Sequence, residues 1–401
     1  MLKSKTVLIV SAVFPPEQVT SALMNYDLAV ELAKKHDVTV LRPFPTRPFG
    51  AKYESAGIKS VGFNTILLNT YTHPQSQIVG RFRESIDFGK KAAKYIKQHH
   101  NEIDFVYNCA WQLFGVYIVA KTAKKYGIPY MIAIQDIYPE TLFAGHNYPS
   151  VLQKAVMGVL GPMDKFYQKH AYRVRTISDE MASYLSKTRS ISKDKYLVVN
   201  NWQNDEDFSP VSMDINSGPL VFAYVGSINV HSNVDLIIKA FHKANMQNAE
   251  LRIYGGGNRT ERCKALAKEL RLPNVFFDMV SRDLVPKVQS DADVLVLALP
   301  KGNGEFCLPS KITSYMLSGK PILASIDLNS ATHRYLLEAK CGVVVESDNE
   351  NALADAFEKL NKMDREQLTE MGRNGKRFAD NYLTKKVNLK MVVDAIKECI
   401  E

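Results

Sequence analysis

The sequence predicts an α/β protein of two domains, each built on a parallel sheet. Three observations carry this. Short apolar runs alternate with segments of helical period along both halves of the chain. A polar stretch with a proline, Asn200–Pro210 (NNWQNDEDFSP), separates the two series. The length, 401 residues, exceeds what one hydrophobic core ordinarily organises.

In the first half, Thr6–Ser11 reads as a buried strand. The run VLIVSAVF leads into Phe14-Pro15-Pro16-Glu17 with no small-residue cleavage site, so a strand fits better than a signal peptide. A helix over Val19–Lys35, a strand over Val38–Leu41 and a proline-rich loop over Arg42–Gly50 follow. A strand pair is expected within Ile58–Asn69. Gln77–His100 has the period of a long helix whose polar side carries Arg81, Arg83, Lys90, Lys91, Lys94 and Lys97 against Glu84 and Asp87. Such a helix is a solvated outer helix of the sheet or a face for anionic lipid. Further strands are expected at Asp104–Asn108, Tyr130–Gln135, Arg173–Ile177 and Tyr196–Val199, separated by helices near 112–126, 150–170 and 178–187. In such sheets ligands bind at the strand C-terminal edge. Gln135, Asp136 and Glu140, in QDIYPE, sit at one such edge, where they meet a polar acceptor or cap the following turn.

The second half repeats this logic. Strand 220–225 leads to Gly226-Ser227 and a helix from about Ser232 to Ala244. Strand Glu250–Tyr254 leads to Gly255-Gly256-Gly257, where backbone can approach a ligand closely. Strand Asp293–Leu299 leads to GNGEFCLPSKITSYMLSGKP, residues 302–321. There a glycine turn passes Glu305, Phe306, Cys307 and Leu308 to Pro309-Ser310, which opens a short helix that Gly319-Lys320-Pro321 ends. Amides, a helix dipole and Lys311 together suit phosphate, although an ordinary solvated loop and helix reads the same way locally. Strands at Ile322–Ser325 and Gly342–Glu346 and three closing helices complete the series, the last near Thr384–Ile400 and amphipathic.

Composition narrows the function classes. The chain is 46% hydrophobic and 23% charged, as in soluble globular proteins. No run approaches the roughly 18–20 apolar residues that span a bilayer. The basic excess lies wholly in residues 1–205, with 26 Lys+Arg against 16 Asp+Glu; residues 206–401 carry 25 against 26. The first half therefore favours an anionic surface or substrate. Five scattered cysteines without a C-x-x-C pair fit a reduced compartment and no structural zinc. Asp291-Ala292-Asp293 spells a D-x-D, but at a helix-to-strand junction both carboxylates read as boundary residues, and no metal is expected. No Ser-His-Asp order, H-E-x-x-H or basic-aromatic nucleic-acid module is present.

Taken in order and spacing, VNNWQNDEDFSP (199–210), DLIIKAF (235–241), YGGG (254–257), DADVLVL (291–297) and PSKITSYMLSGKP (309–321) resemble glycosyltransferase family 4. DIYPE (136–140) resembles a segment of its branch that builds surface polysaccharides, including aminosugar transferases. The resemblance covers nearly the whole chain. It implies the GT-B architecture: two Rossmann-like domains with parallel sheets facing across a cleft. Residues 1–203, with a returning helix at about 384–401, would bind the acceptor, and residues 204–383 the nucleotide sugar. It implies retaining transfer of a hexosyl or N-acetylhexosaminyl group from a nucleoside-diphosphate sugar, UDP-sugar ahead of GDP-sugar. The acceptor would be a glycan or an undecaprenyl-diphosphate-linked sugar in capsule, O-antigen or exopolysaccharide assembly. The nucleotide sugar is a substrate, so no cofactor is implied. A cytoplasmic protein peripheral on the anionic inner face of the membrane follows, with no nucleic acid.

The same resemblance assigns roles. Lys311, with amides near Gly226-Ser227 and Phe306–Leu308, would stabilise the leaving diphosphate. Gly256 and Gly257 would border the nucleotide, with Cys307 beside them. Glu305 would contact sugar hydroxyls and Ser314 the ribose. Gln135, Asp136 and Glu140 would face the acceptor. Ser227 and Ser232 stand where the family carries Arg and Lys, and Ser314 where it carries Glu. Either Lys311, helped by Arg259 or His231, suffices for the diphosphate, or the protein is a silent homologue acting as a binding partner.

Overall fold

A computed structural model of the chain describes residues 4–17, 19–47, 53, 57, 61–73, 78–143, 148–208, 218–302 and 308–401. The chain divides into two compact units, Met1–Asn201 with Lys386–Glu401, and Trp202–Lys385.

The first unit contains β1 (Thr6–Ser11), α1 (Thr20–Ala33), β2 (Asp37–Arg42), β3 (Asn64–Leu67), α2 (Ile78–His99), β4 (Phe105–Cys109), α3 (Phe114–Lys125), β5 (Tyr130–Ala133), α4 (Ser150–His170), β6 (Arg173–Thr176), α5 (Asp179–Arg189) and β7 (Tyr196–Val198). Its strands form one sheet in the order β3-β2-β1-β4-β5-β6-β7, with every pair parallel. Burial on both faces explains why β1 reads as an unbroken apolar run. The strand pair expected in 58–69 resolves to the single strand β3 among the described residues; the chain bends at 61–63 just before it.

The second unit contains β8 (Leu220–Val225), α6 (Val234–Ala244), β9 (Ala249–Tyr254), α7 (Thr260–Glu269), β10 (Val275–Asp278), α8 (Val285–Ser290), β11 (Val294–Ala298), α9 (Ser310–Leu317), β12 (Ile322–Ile326), α10 (Ala331–Ala339), β13 (Gly342–Glu346), α11 (Glu350–Asn361) and α12 (Arg365–Tyr382). Its sheet runs β10-β9-β8-β11-β12-β13, all parallel. This is the doubly wound order, whose direction reverses between β8 and β11. Phe222 of β8, Phe241 of α6 and Phe357 of α11 form an edge-to-face trio that anchors the core on one side of the sheet. The last helix, α13 (Lys385–Ile400), lies almost wholly in the first unit. There the Asn388 side-chain oxygen accepts the Asn200 N–H at 2.9 Å.

The D-x-D residues sit at the boundary between α8 and β11. Asp291 caps α8. Asp293 accepts the Val221 N–H at 2.8 Å and pairs with Arg365 at 2.5 Å.

Candidate functional site

The second unit builds its candidate site where the sheet order reverses. Strands β8 and β11 pair at Phe222–Val294 and Ala223–Leu295. Beyond that register the buried Tyr315 hydroxyl of α9 stands between them. It accepts the Val225 N–H at 2.9 Å and lies 3.2 Å from the Val225 carbonyl and 3.4 Å from that of Val296. A side chain of the helix thus replaces the ladder as the strands part, and the first turn of α9 is pinned beside the end of β8.

That pinning delivers Lys311 to Gly226. Gly226 has φ +149°, and a Cβ there would collide with the Lys311 Cε, so the glycine is the room the lysine occupies. The Lys311 ammonium sits 5.1 Å from the centre of the Tyr224 ring. No carboxylate pairs with it among the described residues. Burial without a counter-ion lowers its pKa to about 8.

The loops after β8 and β9 are laced together at this edge. Gly226 N–H donates to Tyr254 O at 2.8 Å, and Ile228 N–H to Gly256 O at 3.0 Å. A Cβ on Gly255 would strike the Gly226 carbonyl, and one on Gly257 the Ile228 carbonyl. The triple glycine therefore serves contact between loops. The Gly226 amide, expected to face phosphate, is spent within the protein. Gly256 lies against the Met279 sulfur. The Ser227 carbonyl accepts from the Tyr224 hydroxyl at 2.7 Å, and its side chain from Asn229 at 3.3 Å. Ser232 is buried, its hydroxyl bonded to Asn229 N–H and O. Arg259 is engaged by Asp235 at 2.9 Å.

Helix α9 starts differently from the expectation. Pro309 takes the cap position with no side-chain cap, and Ser310 is the first helical residue. Its polar stripe turns inward. Ser314 donates to Lys311 O at 3.0 Å and accepts from Gln289 of α8 at 3.3 Å. Ser318 donates to Ser314 O and lies 2.7 Å from the Gln289 oxygen. At 4% exposure, Ser314 braces α9 against α8. Leu308 is buried. Glu305, Phe306 and Cys307 lie outside the described residues.

The first unit holds a cavity of about 440 Å³ at the C-terminal ends of its central strands. Arg81, Trp111, Gln112, Gln135, Asp136 and Arg175 are among its walls. Asp136 is open to the cavity yet surrounded by protein, and desolvation raises its pKa. Gln135 accepts from Asn201 at 2.8 Å, and Asn201 in turn accepts from Arg175 at 3.3 Å. The Arg47 and Arg81 guanidinium groups stand 5.2 and 5.6 Å from the centre of the Trp111 ring. Glu140 is placed otherwise. It receives two bonds from Arg189, at 2.6 and 2.8 Å, and one from Tyr184 at 3.1 Å. Burial alone would push Glu140 up, but Arg189 holds it below its ordinary range. Arg189 also binds Asp164 at 2.5 Å and Tyr138 O at 2.9 Å, so this hub fixes the loop that carries Asp136.

Sequence reasoning missed Arg175, Trp111, Arg81 as a wall residue, and Tyr315 as a strand bridge. A signal existed for Arg175: an arginine inside the β6 run RVRT, near the sheet's C-terminal edge, is 2% exposed and has no simple core role. Among the described residues no group of three or more His, Cys, Asp or Glu is placed to hold a metal. None of their helices is long and apolar enough to cross a membrane.

Residues 205–378 match the family model described as glycosyl transferases group 1. A probable glycosyltransferase, WbjE of Pseudomonas aeruginosa, is 22% identical over 253 residues, which is 60% of this chain and 62% of that protein. Among solved structures, HepE of Anabaena with UDP and glucose superposes with a TM-score of 0.71 at 13% identity, over 98% of this chain and 100% of the other. A glycosyltransferase from Rickettsia africae gives 0.70 at 14% identity, over 100% and 99%. By fold the chain is a GT-B protein, with two Rossmann-like α/β domains, and its second unit carries the sequence pattern of group 1 glycosyl transferases.

Proposed function

We propose that the protein is a retaining glycosyltransferase that moves a sugar from a nucleoside-diphosphate sugar, UDP-linked ahead of GDP-linked, to an acceptor held by the first unit. The acceptor is a glycan or lipid-diphosphate-linked sugar of surface-polysaccharide assembly. The observation that carries this reading is Lys311. It is a half-buried cation without a carboxylate partner among the described residues, set against Gly226 where the sheet order reverses. The group 1 match over 205–378 and the UDP-bound HepE structure support the same assignment.

In this reading the acceptor attacks on the leaving-group side, and the departing phosphate takes its proton. No protein nucleophile is required. Lys311 stabilises negative charge as it grows on the diphosphate. Glu305 keeps the proposed role toward sugar hydroxyls, and Asp136, with its raised pKa, faces the acceptor hydroxyl. The Glu140 carboxylate supports this from behind through Arg189.

A second reading, a homologue that binds without transferring, draws on a specific observation. Ser227 and Ser232 bring no charge, and Arg259 is engaged by Asp235. Thermal melting of the purified protein with UDP, GDP and ADP separates the two. Ligand at a hundred times its dissociation constant stabilises by roughly 2.7 kcal/mol. A shift with UDP that disappears in Lys311→Ala is the expected result. No shift with any nucleotide overturns the donor site and leaves the binding partner.

A further inference from the structure

We infer that the sugar residue entering the first unit's cavity carries a carboxylate, so that the acceptor is an acidic glycan of the uronic acid class. This rests on the reading that the first unit takes the acceptor. It assigns a substrate class and two specificity-determining residues, Arg81 and Arg175, to that site.

The cavity, about 440 Å³, lies in the size range of small-molecule pockets. Two guanidinium groups enter its wall, Arg81 from α2 and Arg175 from β6. Asp136 is the one carboxylate among the residues that line it. Desolvation raises the Asp136 pKa, whereas an arginine held against it would lower it. The two arginines are therefore not placed to neutralise that carboxylate. Arg81 does meet a Glu84 oxygen at 3.7 Å, but the same oxygen lies 3.0 Å from Arg47. One buried carboxylate thus serves two arginines, and Arg81 has the weaker share. Arg175 is 2% exposed, and its guanidinium reaches the Tyr107 hydroxyl at 3.4 Å and the Asn201 side-chain oxygen at 3.3 Å. These neutral contacts hold it in place near the C-terminal end of β6.

Charge and shape select the occupant. With Arg47 and Glu84 included, three guanidinium groups face two carboxylates, a surplus of one positive charge. Deeper in the unit the buried Glu17 is offset by the buried Arg42, which leaves that balance unchanged. A carboxylate brings one negative charge and matches the surplus. A diphosphate brings more than the surplus covers, and its excess charge would be buried without a partner. A planar carboxylate also accepts two parallel N–H bonds from one guanidinium, a geometry that arginine supplies and lysine does not. The residue types are sorted accordingly. Arg81 and Arg175 face the cavity, while Lys90, Lys94 and Lys97 of α2 are exposed and none of them lines it.

Trp111 lines the cavity and reports on it, while the other tryptophan, Trp202, is buried and belongs to the second unit. The intact protein is titrated with the methyl glycosides of glucuronic, galacturonic and mannuronic acid and of their three neutral parent hexoses, and intrinsic fluorescence is read. At least one acid is expected to bind about tenfold more tightly than its neutral parent, the gain of a charge-assisted hydrogen bond over a neutral one. Arg81→Gln and Arg175→Gln are each expected to lose that gain and to leave the affinity for the neutral sugar unchanged. Thermal melts check folding. Arg81, whose side chain is 29% exposed, carries the test if Arg175→Gln unfolds. Equal affinity in all three pairs, or a gain that persists in the folded variants, overturns the inference. Inorganic diphosphate is titrated alongside. Binding tighter than that of every uronide, and lost in the same variants, also overturns it and makes the cavity a phosphate site. The UDP melting shift is measured on the same sample. If neutral sugars bind and the shift persists while no acid gains, the inference alone falls. If no sugar of either kind binds, the acceptor reading of the cavity falls with it. If the shift is absent, the donor reading falls on its own evidence.

Discussion

Lys311 concentrates the chemistry of the second unit in one side chain. Burial lowers its pKa from the ordinary 10.5 to about 8. Below pH 8 the lysine is charged in both folded and unfolded chains, and the cost of burying that charge is present in full. Between pH 8 and 10.5 the unfolded chain keeps the proton that the folded chain releases, so stability of the ligand-free protein rises with pH across this window. A bound diphosphate favours the charged form, so its linkage has the opposite sign. UDP affinity is expected to be greatest below pH 8 and to weaken above it, by up to about tenfold per pH unit. Calorimetric titration from pH 7 to 9.5 reads this directly. Lys311→Ala should flatten the profile, and a profile unchanged by that substitution would remove Lys311 from the diphosphate.

One helix and two strands account for the position of that lysine. Helix α9 is buried from Ile312 to Leu317, and its Tyr315 hydroxyl fills the opening between β8 and β11. Tyr315→Phe leaves the Val225 N–H and the carbonyls of Val225 and Val296 short of a partner in a dry interior. The expected loss is about 1–3 kcal/mol, seen as a lower urea midpoint at constant slope. An unchanged midpoint would mean that water or a neighbour takes over these groups. In the first unit Arg189 plays the corresponding part. It gathers Glu140, Asp164 and the Tyr138 carbonyl, and so ties the loop after β5 to α4. The segment that carries the cavity carboxylate and α4 share one ionic hub.

At the scale of the whole molecule, the chain closes its first unit last. Residues 386–401 belong with residues 1–201, and α13 buries Leu389, Val392, Val393 and Ile396. Each such side chain contributes roughly 1.5–3 kcal/mol when fully buried. Deleting 386–401 is therefore expected to lower the melting of the first unit while the second unit keeps its response to UDP, giving two separated transitions in calorimetry. A single unshifted transition would show that α13 adds no stability to the first unit.

The amino-acid order by itself determined the α/β class and the two series of parallel strands. Apolar runs such as LVFAYV suit strands covered on both faces, and the polar stretch NNWQND reads as a connection, although Asn200 and Trp202 within it are buried. It also marked Lys311, the glycines and the loop at 135–140, because unusual backbone and lone charges are visible as residue types. Only the tertiary structure decided what those residues do. It spent the Gly226 amide on Tyr254, turned Ser314 toward Gln289, and gave Glu140 to Arg189. It also brought Arg81, Trp111 and Arg175, from three distant segments, to one cavity, and left the apolar start of α4 beside it unburied. Periodicity reports which way a side chain faces along its own element. The partner it meets depends on strand order and on where loops end, and these are set by packing between residues far apart in the chain.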